Sequence, residues 1–259
     1  MAAVTRFAPS PTGYLHLGHA RSALEVAQAA RALGAAMLLR IEDIDHTRCR
    51  PAFDAALIGD LAWLGLSYDG AIRRQSQHRA EYLAVLDDLR ARGLVYPDVR
   101  ARSGAAMPGP PAWRLSLAAA RTALGSRWEG LGYHDMDHGW RPVDPAPHGD
   151  VVLARRDIAL SYHLCVVWDD ALQGVTHVVR GRDLEAETAV HVLLQALLDL
   201  PTPAYRHHAL LMAPEAGKKL SKRDGAEAIR ALREAGWTRE AVLAASGAGL
   251  DATPGGAPL

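Results

Sequence analysis

Apolar and polar positions change period repeatedly along the first forty residues. Residues 3–8 read as a short strand, and Pro9-Ser10-Pro11-Thr12-Gly13 then turns the chain sharply, because two prolines and a glycine cannot extend it. An alanine-rich helical period follows over 18–33, with Gly34 placed as a C-cap, and 37–41 forms a second apolar strand. That strand ends in the charged run Arg40-Ile41-Glu42-Asp43-Ile44-Asp45. Strand, turn, helix and strand make a βαβ unit, whose right-handed crossover requires a parallel sheet covered on both faces. The expected fold class is α/β with a doubly wound parallel sheet.

Helical spacing recurs over 53–64 and 77–92, the second placing Tyr82, Leu86 and Leu89 on one face. Between 96 and 147 the composition turns to Gly, Pro, Arg and Ala and periodicity fades, which predicts an inserted subdomain over 96–157. Its arginines include Arg100, Arg102, Arg114, Arg121 and Arg127. Strands over 151–154 and 175–179, a helix over 184–198 and a strand over 208–212 resume the α/β pattern. The expected organisation is a first half of the core at 1–95, the insert, a second half at 158–225, and a short helical segment at 226–259. That last segment has room for helices over 226–234 and 239–246 before a Gly/Ala/Pro-rich tail expected to fray.

With 259 residues, 49% apolar and 22% charged, the chain has the ordinary soluble-globular composition, which excludes a wholly disordered or fibrous protein. Lys plus Arg and Asp plus Glu both number 29, so any polyanion must be held by a local patch and not by the field of the whole molecule. Cys49 and Cys165 stand far apart and outside any CxxC spacing, so neither a disulfide framework nor a local metal site is expected. No apolar run is long enough to span a bilayer, and the prolines at 9 and 11 interrupt any leader-like stretch, so a cytoplasmic protein without membrane contact is expected. The sequence is silent on oligomeric state.

Two short polar motifs carry the candidate chemistry. In an open α/β sheet, ligands collect beyond the carboxyl ends of the strands, where the His16-Leu17-Gly18-His19 turn lies. A helix starting near Gly18 offers unpaired N–H groups to a phosphate, and His16 and His19, three apart, can share one face and stabilise charge at the α-phosphorus of ATP. The same position equally suits two histidines that merely cap the helix. The second motif is Lys218-Lys219-Leu220-Ser221-Lys222, a basic loop near Pro214 and Gly217. Ammonium groups there can follow the β- and γ-phosphates as they leave, Lys222 first among them; a plain solvated basic turn is the alternative.

Together the two motifs resemble the HIGH and KMSKS signatures of class I aminoacyl-tRNA synthetases, which flank ATP on a Rossmann-like nucleotide-binding fold. Four stretches in one order resemble the glutamyl-tRNA synthetase branch: RFAPSPTGYLHLGHAR from Arg6, LLRIEDIDHTR from Leu38, VTHVVRGRDL from Val175 and KKLSKRDGA from Lys218. The resemblance implies that Gly18, His16, His19, Lys219, Ser221 and Lys222 meet ATP and its Mg²⁺. It also implies that Arg6 and Arg180 hold carboxylate groups of glutamate, that Glu42 takes its ammonium, and that Ser10, the backbone near Ala8 and the Tyr162 hydroxyl complete the pocket. Arg180 as a strand-end ion pair and Tyr162 as a core aromatic are the plainer alternatives.

Little sequence follows Lys222, so no anticodon-binding region is expected, and the stretch from Ser161 to Gly181 resembles the short glutamyl-Q tRNA(Asp) synthetases. That resemblance implies transfer of glutamate to the queuosine base in the anticodon of tRNA(Asp), with Trp113 and Trp128 as candidate stacking rings that fit the core better. In one respect the chain departs from this group. Where its members usually carry zinc ligands, the residues are Pro97-Asp98-Val99-Arg100-Ala101-Arg102, without cysteine, so no zinc is expected. Charging of a terminal ribose by a truncated glutamyl-tRNA synthetase, and a non-catalytic RNA-binding paralogue, stay open at this point.

Overall fold

The structure is a computed structural model that describes residues 2–99, 109–211 and 227–247. Strand β1 (Val4–Phe7) lies parallel to β2 (Ala36–Ile41), in register from Val4↔Ala36 to Phe7↔Leu39. Helix α1 (Leu17–Leu33) makes the crossover between them. Its buried face carries Ala20, Ala23, Ala27 and Ala30, small enough for the helix to lie close on β1. Gly34 ends it at φ 58, where an L side chain would be strained, and Ala35 N–H donates to the Ala30 carbonyl at 2.8 Å. Helix α2 (Pro51–Trp63) starts with proline at its first turn, where no N–H is missed. Strand β3 (Arg73–Arg74) extends the parallel pairing next to β2.

Helix α3 (Arg79–Ala91) buries Tyr82, Val85, Leu86 and Leu89, the face its spacing predicts. Strands β4 (Val95–Asp98) and β5 (Ala112–Leu115) follow, then α4 (Leu117–Leu124), capped by Ser116, and the hairpin β6 (Gly132–Asp135) and β7 (Gly139–Pro142). Strand β8 (Val152–Ala154) pairs antiparallel with β5, which pairs antiparallel with β4. The region where periodicity fades is therefore built of four-residue strands, too short to display a period. After β8 come α5 (Tyr162–Leu172), β9 (His177–Gly181), α6 (Thr188–Leu197), β10 (Ala204–His208), α7 (Ile229–Glu234) and α8 (Arg239–Ala245).

Two elements correct the reading of the sequence. Helix α5 was not expected, because Cys165-Val166-Val167-Trp168 has strand-like composition, and tertiary burial of Leu164, Cys165, Val166 and Val167 overrides that local preference. Strand β10 occupies the polar stretch 204–208, four residues earlier than the apolar segment expected to form it. Neighbouring strands supply its ladder, and apolarity alone does not mark it.

The chain divides into two compact units. Unit 1 comprises Met1–Arg74, His177–Glu185 and Arg206–Leu259, and unit 2 comprises Gln75–Thr176 and Ala186–Tyr205. In unit 1, α1 packs on β1 and β9, α8 packs on α1, and α7 packs on α2. In unit 2, the central polar contact is the fully buried Asp169, which accepts from the Tyr82 hydroxyl at 2.9 and 3.0 Å and from Gln75 Nε2 at 2.9 Å. Tyr133 and Tyr205 meet edge to face at 5.2 Å, and Gln195 Nε2 donates to the Tyr205 hydroxyl at 3.1 Å.

Candidate active site

The His16-to-His19 turn begins α1. His16 is its N-cap in extended backbone, and its Nδ1 accepts from Gly18 N–H at 3.1 Å. His19 Nδ1 in turn accepts from the His16 N–H at 3.2 Å, a reciprocal capping box made by two imidazoles whose rings lie 3.9 Å apart. Both histidines are thus caps. Because each Nδ1 is an acceptor, the proton of each neutral ring sits on Nε2, so capping fixes the tautomer and leaves Nε2–H as the donor type each ring can offer a ligand.

The turn is clamped from several sides within unit 1. Leu15 is buried and its carbonyl accepts from Ile229 N–H at 2.8 Å, while His16 and Ala228 form an isolated antiparallel bridge. Tyr14 meets Phe53 edge-on at 4.9 Å on one side and lies under the Arg230 guanidinium at 4.7 Å on another. The chain that leads into α7 therefore returns onto the same turn that starts α1.

Arg6 on β1 is 4% exposed, and Arg180 on the adjoining β9 is 5% exposed. Taking two guanidiniums out of water is costly unless anionic or dipolar groups meet them. Arg180 Nε donates to His207 Nε2 on β10 at 3.3 Å. Beside it, a Cβ at Gly181 would require the Asp183 carboxylate and the Leu210 side chain, 2.9 Å away, to shift. Glu42 follows the last residue of β2, its N–H donating to the Pro9 carbonyl at 3.0 Å, and its buried carboxylate accepts from Arg40 Nη2 at 3.2 Å. Arg40 is wholly buried, a partner the sequence did not single out although it stands two residues away, on the same side of the strand. Ser10 is exposed and Ala8 half-buried on the loop between β1 and α1.

Past Glu42 the chain is fixed by Asp45. Burial alone would raise its pKa, but hydrogen bonds from Thr47 and from Arg48 Nε outweigh that and hold the carboxyl well below the usual carboxylate range. The neighbouring Cys49 thiol is pushed up, by burial first and then by Asp43 and Asp45, which disfavours its thiolate form. His208 is held in its neutral form by burial, with Nδ1 on the Ala209 carbonyl at 3.1 Å and Nε2 on Ser22 Oγ of α1 at 3.2 Å.

Tyr162 belongs to unit 2. It is the first residue of α5, with its ring 5.6 Å from that of His163 and 5.5 Å from that of His191. His163 Nδ1 and His191 Nε2 are 3.2 Å apart, and His163 Nε2 lies 3.6 Å from Glu187. Lys219, Ser221 and Lys222 lie outside the described residues.

The arginines singled out in the insert are ion-paired where they are described. Arg114 pairs with Asp98 at 2.7 Å, Arg121 with Glu129 at 3.1 Å and Arg127 with Asp199 at 2.9 Å, while Arg100 and Arg102 are outside the described residues. Trp113 and Trp128 are half-buried instead of core, with the Arg90 and Arg121 guanidiniums over their rings at 4.1 and 5.7 Å. Among the described residues no group of three His, Cys, Asp or Glu side chains could hold a metal ion, and no helix is long and apolar enough to cross a membrane.

The family model described as tRNA synthetases class I (E and Q), catalytic domain, matches residues 2–103 and 134–248. A glutamyl-Q tRNA(Asp) synthetase of Rhodobacter capsulatus is 43% identical, over 90% of this chain and 95% of its own length. A protein of the same name from Symbiobacterium thermophilum is 38% identical, over 92% of this chain and 83% of its own. Glutamate–tRNA ligase 2 of Jannaschia sp. is 38% identical over 93% of this chain but only 58% of its own. Among solved structures, a glutamate tRNA ligase from Elizabethkingia meningosepticum, in complex with its amino acid, matches at a TM-score of 0.71 and 26% identity, covering 87% of this chain. The chain spans about half of that ligase, 53% of its length. On this match of sequence and fold, the chain belongs to the catalytic-domain family of the class I tRNA synthetases (E and Q), a family of ligases.

Proposed function

We propose that the protein activates glutamate with ATP and transfers the glutamyl group to the queuosine base in the anticodon of tRNA(Asp). The observation that carries this reading is the 43% identity that runs over 95% of a relative of that activity by name. Unit 1 supports it with chemistry suited to a substrate bearing two carboxylates and one ammonium: two buried guanidiniums on neighbouring strands, Arg6 and Arg180, and one buried carboxylate, Glu42. Ser10 and the Ala8 backbone complete the unit 1 part of the proposed glutamate site, and the Tyr162 hydroxyl is assigned to the substrate by resemblance to the family alone.

In the first step a carboxylate oxygen of glutamate attacks the α-phosphorus of ATP. The bond from that phosphorus to the bridging oxygen breaks, and pyrophosphate leaves with its electron pair. His16 and His19 donate from Nε2 to the oxygens on which charge develops, Gly18 lets the nucleotide approach the backbone, and Lys219, Ser221 and Lys222 follow the departing phosphates. Positioning and electrostatics carry the rate, and no side-chain nucleophile is used. Mg²⁺ arrives with ATP as part of the substrate, and the proposal includes no zinc. In the second step a hydroxyl oxygen of the queuosine ring attacks the glutamyl carbonyl carbon, AMP leaves, and the hydroxyl proton is lost to solvent.

The test is incubation with ATP and labelled glutamate together with tRNA(Asp) carrying or lacking queuosine. Label is expected on the modified tRNA alone. The ligase relatives favour a second reading, in which a terminal ribose is charged; label on tRNA(Glu) in an alkali-labile terminal ester would establish it and overturn the first. Absence of both adenylate and product in every arm would leave a non-catalytic RNA-binding paralogue.

A further inference from the structure

A cleft of about 550 Å³ opens in unit 1 between α2 and the α7 segment, and it shares no residue with the proposed glutamate and ATP site. One wall is the face of α2 that carries Ala56, Gly59, Asp60 and Trp63, and the opposite wall carries Arg233 and Trp237. A Cβ at Gly59 would meet nothing within 4 Å, so that wall is flat and open by virtue of small residues. Trp237 is 41% exposed.

The unusual group in this cleft is Asp60. It is 2% exposed, its Oδ1 accepts from Arg233 Nη1 at 3.2 Å, and its Oδ2 has no hydrogen-bond partner among the described residues. A carboxylate has acceptor capacity for about four donors, and burying one on a single contact is costly. Arg233 answers that need only in part. Its guanidinium lies over the Trp63 ring at 4.9 Å and presents one N–H to Asp60, while its side chain stays 37% exposed and so can swing out.

A planar ring with two adjacent N–H donors would meet the same two surfaces more completely, one face on tryptophan and one edge on both carboxylate oxygens. Guanine has that edge, with N1–H beside the N2 amino group. Adenine does not, because its ring nitrogen at that edge is an acceptor and would face the carboxylate oxygen. We propose that this cleft binds a guanine base, with Asp60 reading N1–H and N2–H, Trp63 and Trp237 covering the faces, and Arg233 standing in for the base when none is bound. Arg230 and Glu234, ion-paired at 3.0 Å, stand at the rim of the cleft. The base can come from a free guanine nucleotide or from an unpaired guanosine of an RNA. This inference goes beyond the proposed function and does not rest on it.

The test follows tryptophan fluorescence of the whole protein, with ATP at saturation, during titration with GMP, IMP and AMP. GMP is expected to bind about tenfold or more tightly than IMP, whose missing amino group leaves one carboxylate oxygen unpaired, and AMP no better than IMP. Asp60→Asn should erase the preference for GMP over IMP. Trp237→Ala, at an exposed position that leaves the core intact, should weaken GMP at least about fivefold through lost stacking. Arg233→Ala should tighten GMP by removing its competitor. In a second arm, displacement of GMP by tRNA assigns the base to RNA, and failure to displace it assigns the site to the free nucleotide. GMP binding no better than AMP, or unchanged in both Asp60→Asn and Trp237→Ala, overturns the site.

Discussion

The imidazole of His16 caps a helix through one nitrogen and, in the proposed reaction, donates through the other, so two substitutions can separate the roles. His16→Ala removes both. His16→Asn keeps a side-chain acceptor for the Gly18 N–H, since asparagine is among the best N-cap residues, but has no donor at the Nε2 position. The cap bond at 3.1 Å is a single neutral hydrogen bond, so His16→Ala should cost about 1 kcal/mol of stability, within roughly 0.5–2 for such caps. In a chain of this size that is about 2–4 °C in melting temperature. The reciprocal bond into His19 Nδ1 uses the backbone of residue 16 and survives in both variants. Loss of one donor to developing charge costs roughly 10²–10³ in rate, about 2.7–4 kcal/mol. Glutamate-dependent ATP–pyrophosphate exchange should therefore fall about equally in the two variants, while thermal melts should show a deficit in His16→Ala that His16→Asn largely recovers. Wild-type exchange in His16→Asn would refute the donor role. Coincident melts of the two variants, both below wild type, would refute the cap as the source of the stability loss.

Three further outcomes follow from the same structure. Asp169→Ala should lower stability by about 3–5 kcal/mol, because it removes the acceptor shared by the buried Tyr82 hydroxyl and Gln75 amide, and a urea midpoint close to wild type would contradict that network. Glu42→Gln removes the charge of the carboxylate 3.2 Å from the buried Arg40 Nη2, so it should cost about 3 kcal/mol in denaturant unfolding and, in the proposed pocket, raise the KM for glutamate. The His208 and Asp45 pKa values are both depressed, so each contributes stability that is complete above its ordinary value, 6.5 and 3.8, and is lost as pH falls through the folded value. The His177 pKa is depressed by burial as well, so melting temperature measured from neutral to acid pH should drop in two stages, the histidines first, and His208→Gln should shrink the first stage while leaving the second unchanged.

The legible part of the fold was the part with long periods and strong punctuation. Residues 18–33 repeat small apolar groups over four turns and stop at a glycine, and the observed helix α1 differs from that reading by one residue at its start. Helix α5 was invisible because valine, cysteine and tryptophan carry strand-like local preference, and only packing in unit 2 decides otherwise. For β10 the misleading signal was apolarity: 209–212 looks like a strand by composition, yet the ladder forms on Ala204-Tyr205-Arg206-His207-His208, whose neighbours are distant in sequence. At the candidate site the residue types were readable from the turn and the charged run, but their partners were not. That Arg180 donates to His207, or that the nitrogen of His16 facing the backbone is Nδ1, depends on strand order and helix entry, which no local pattern encodes. The acidic partners of the insert's arginines were hidden for a related reason, since folding brings Asp98, Glu129 and Asp199 beside Arg114, Arg121 and Arg127.

The segmental make-up of the two units has a kinetic consequence. Unit 1 draws on Met1–Arg74 and then again on His177–Glu185 and Arg206–Leu259, so its sheet and helices join stretches separated by the whole of Gln75–Thr176. Such non-local closure is slow, because the entropy of the long loop must be overcome before the contacts form. During vectorial synthesis β1, α1 and β2 emerge first and yet wait for β9 to cover their apolar face, while α3, β4 and β5 can already associate within unit 2. The nascent chain therefore exposes its nucleotide-type βαβ element for the longest time, and chaperone dependence and aggregation during expression should concentrate there.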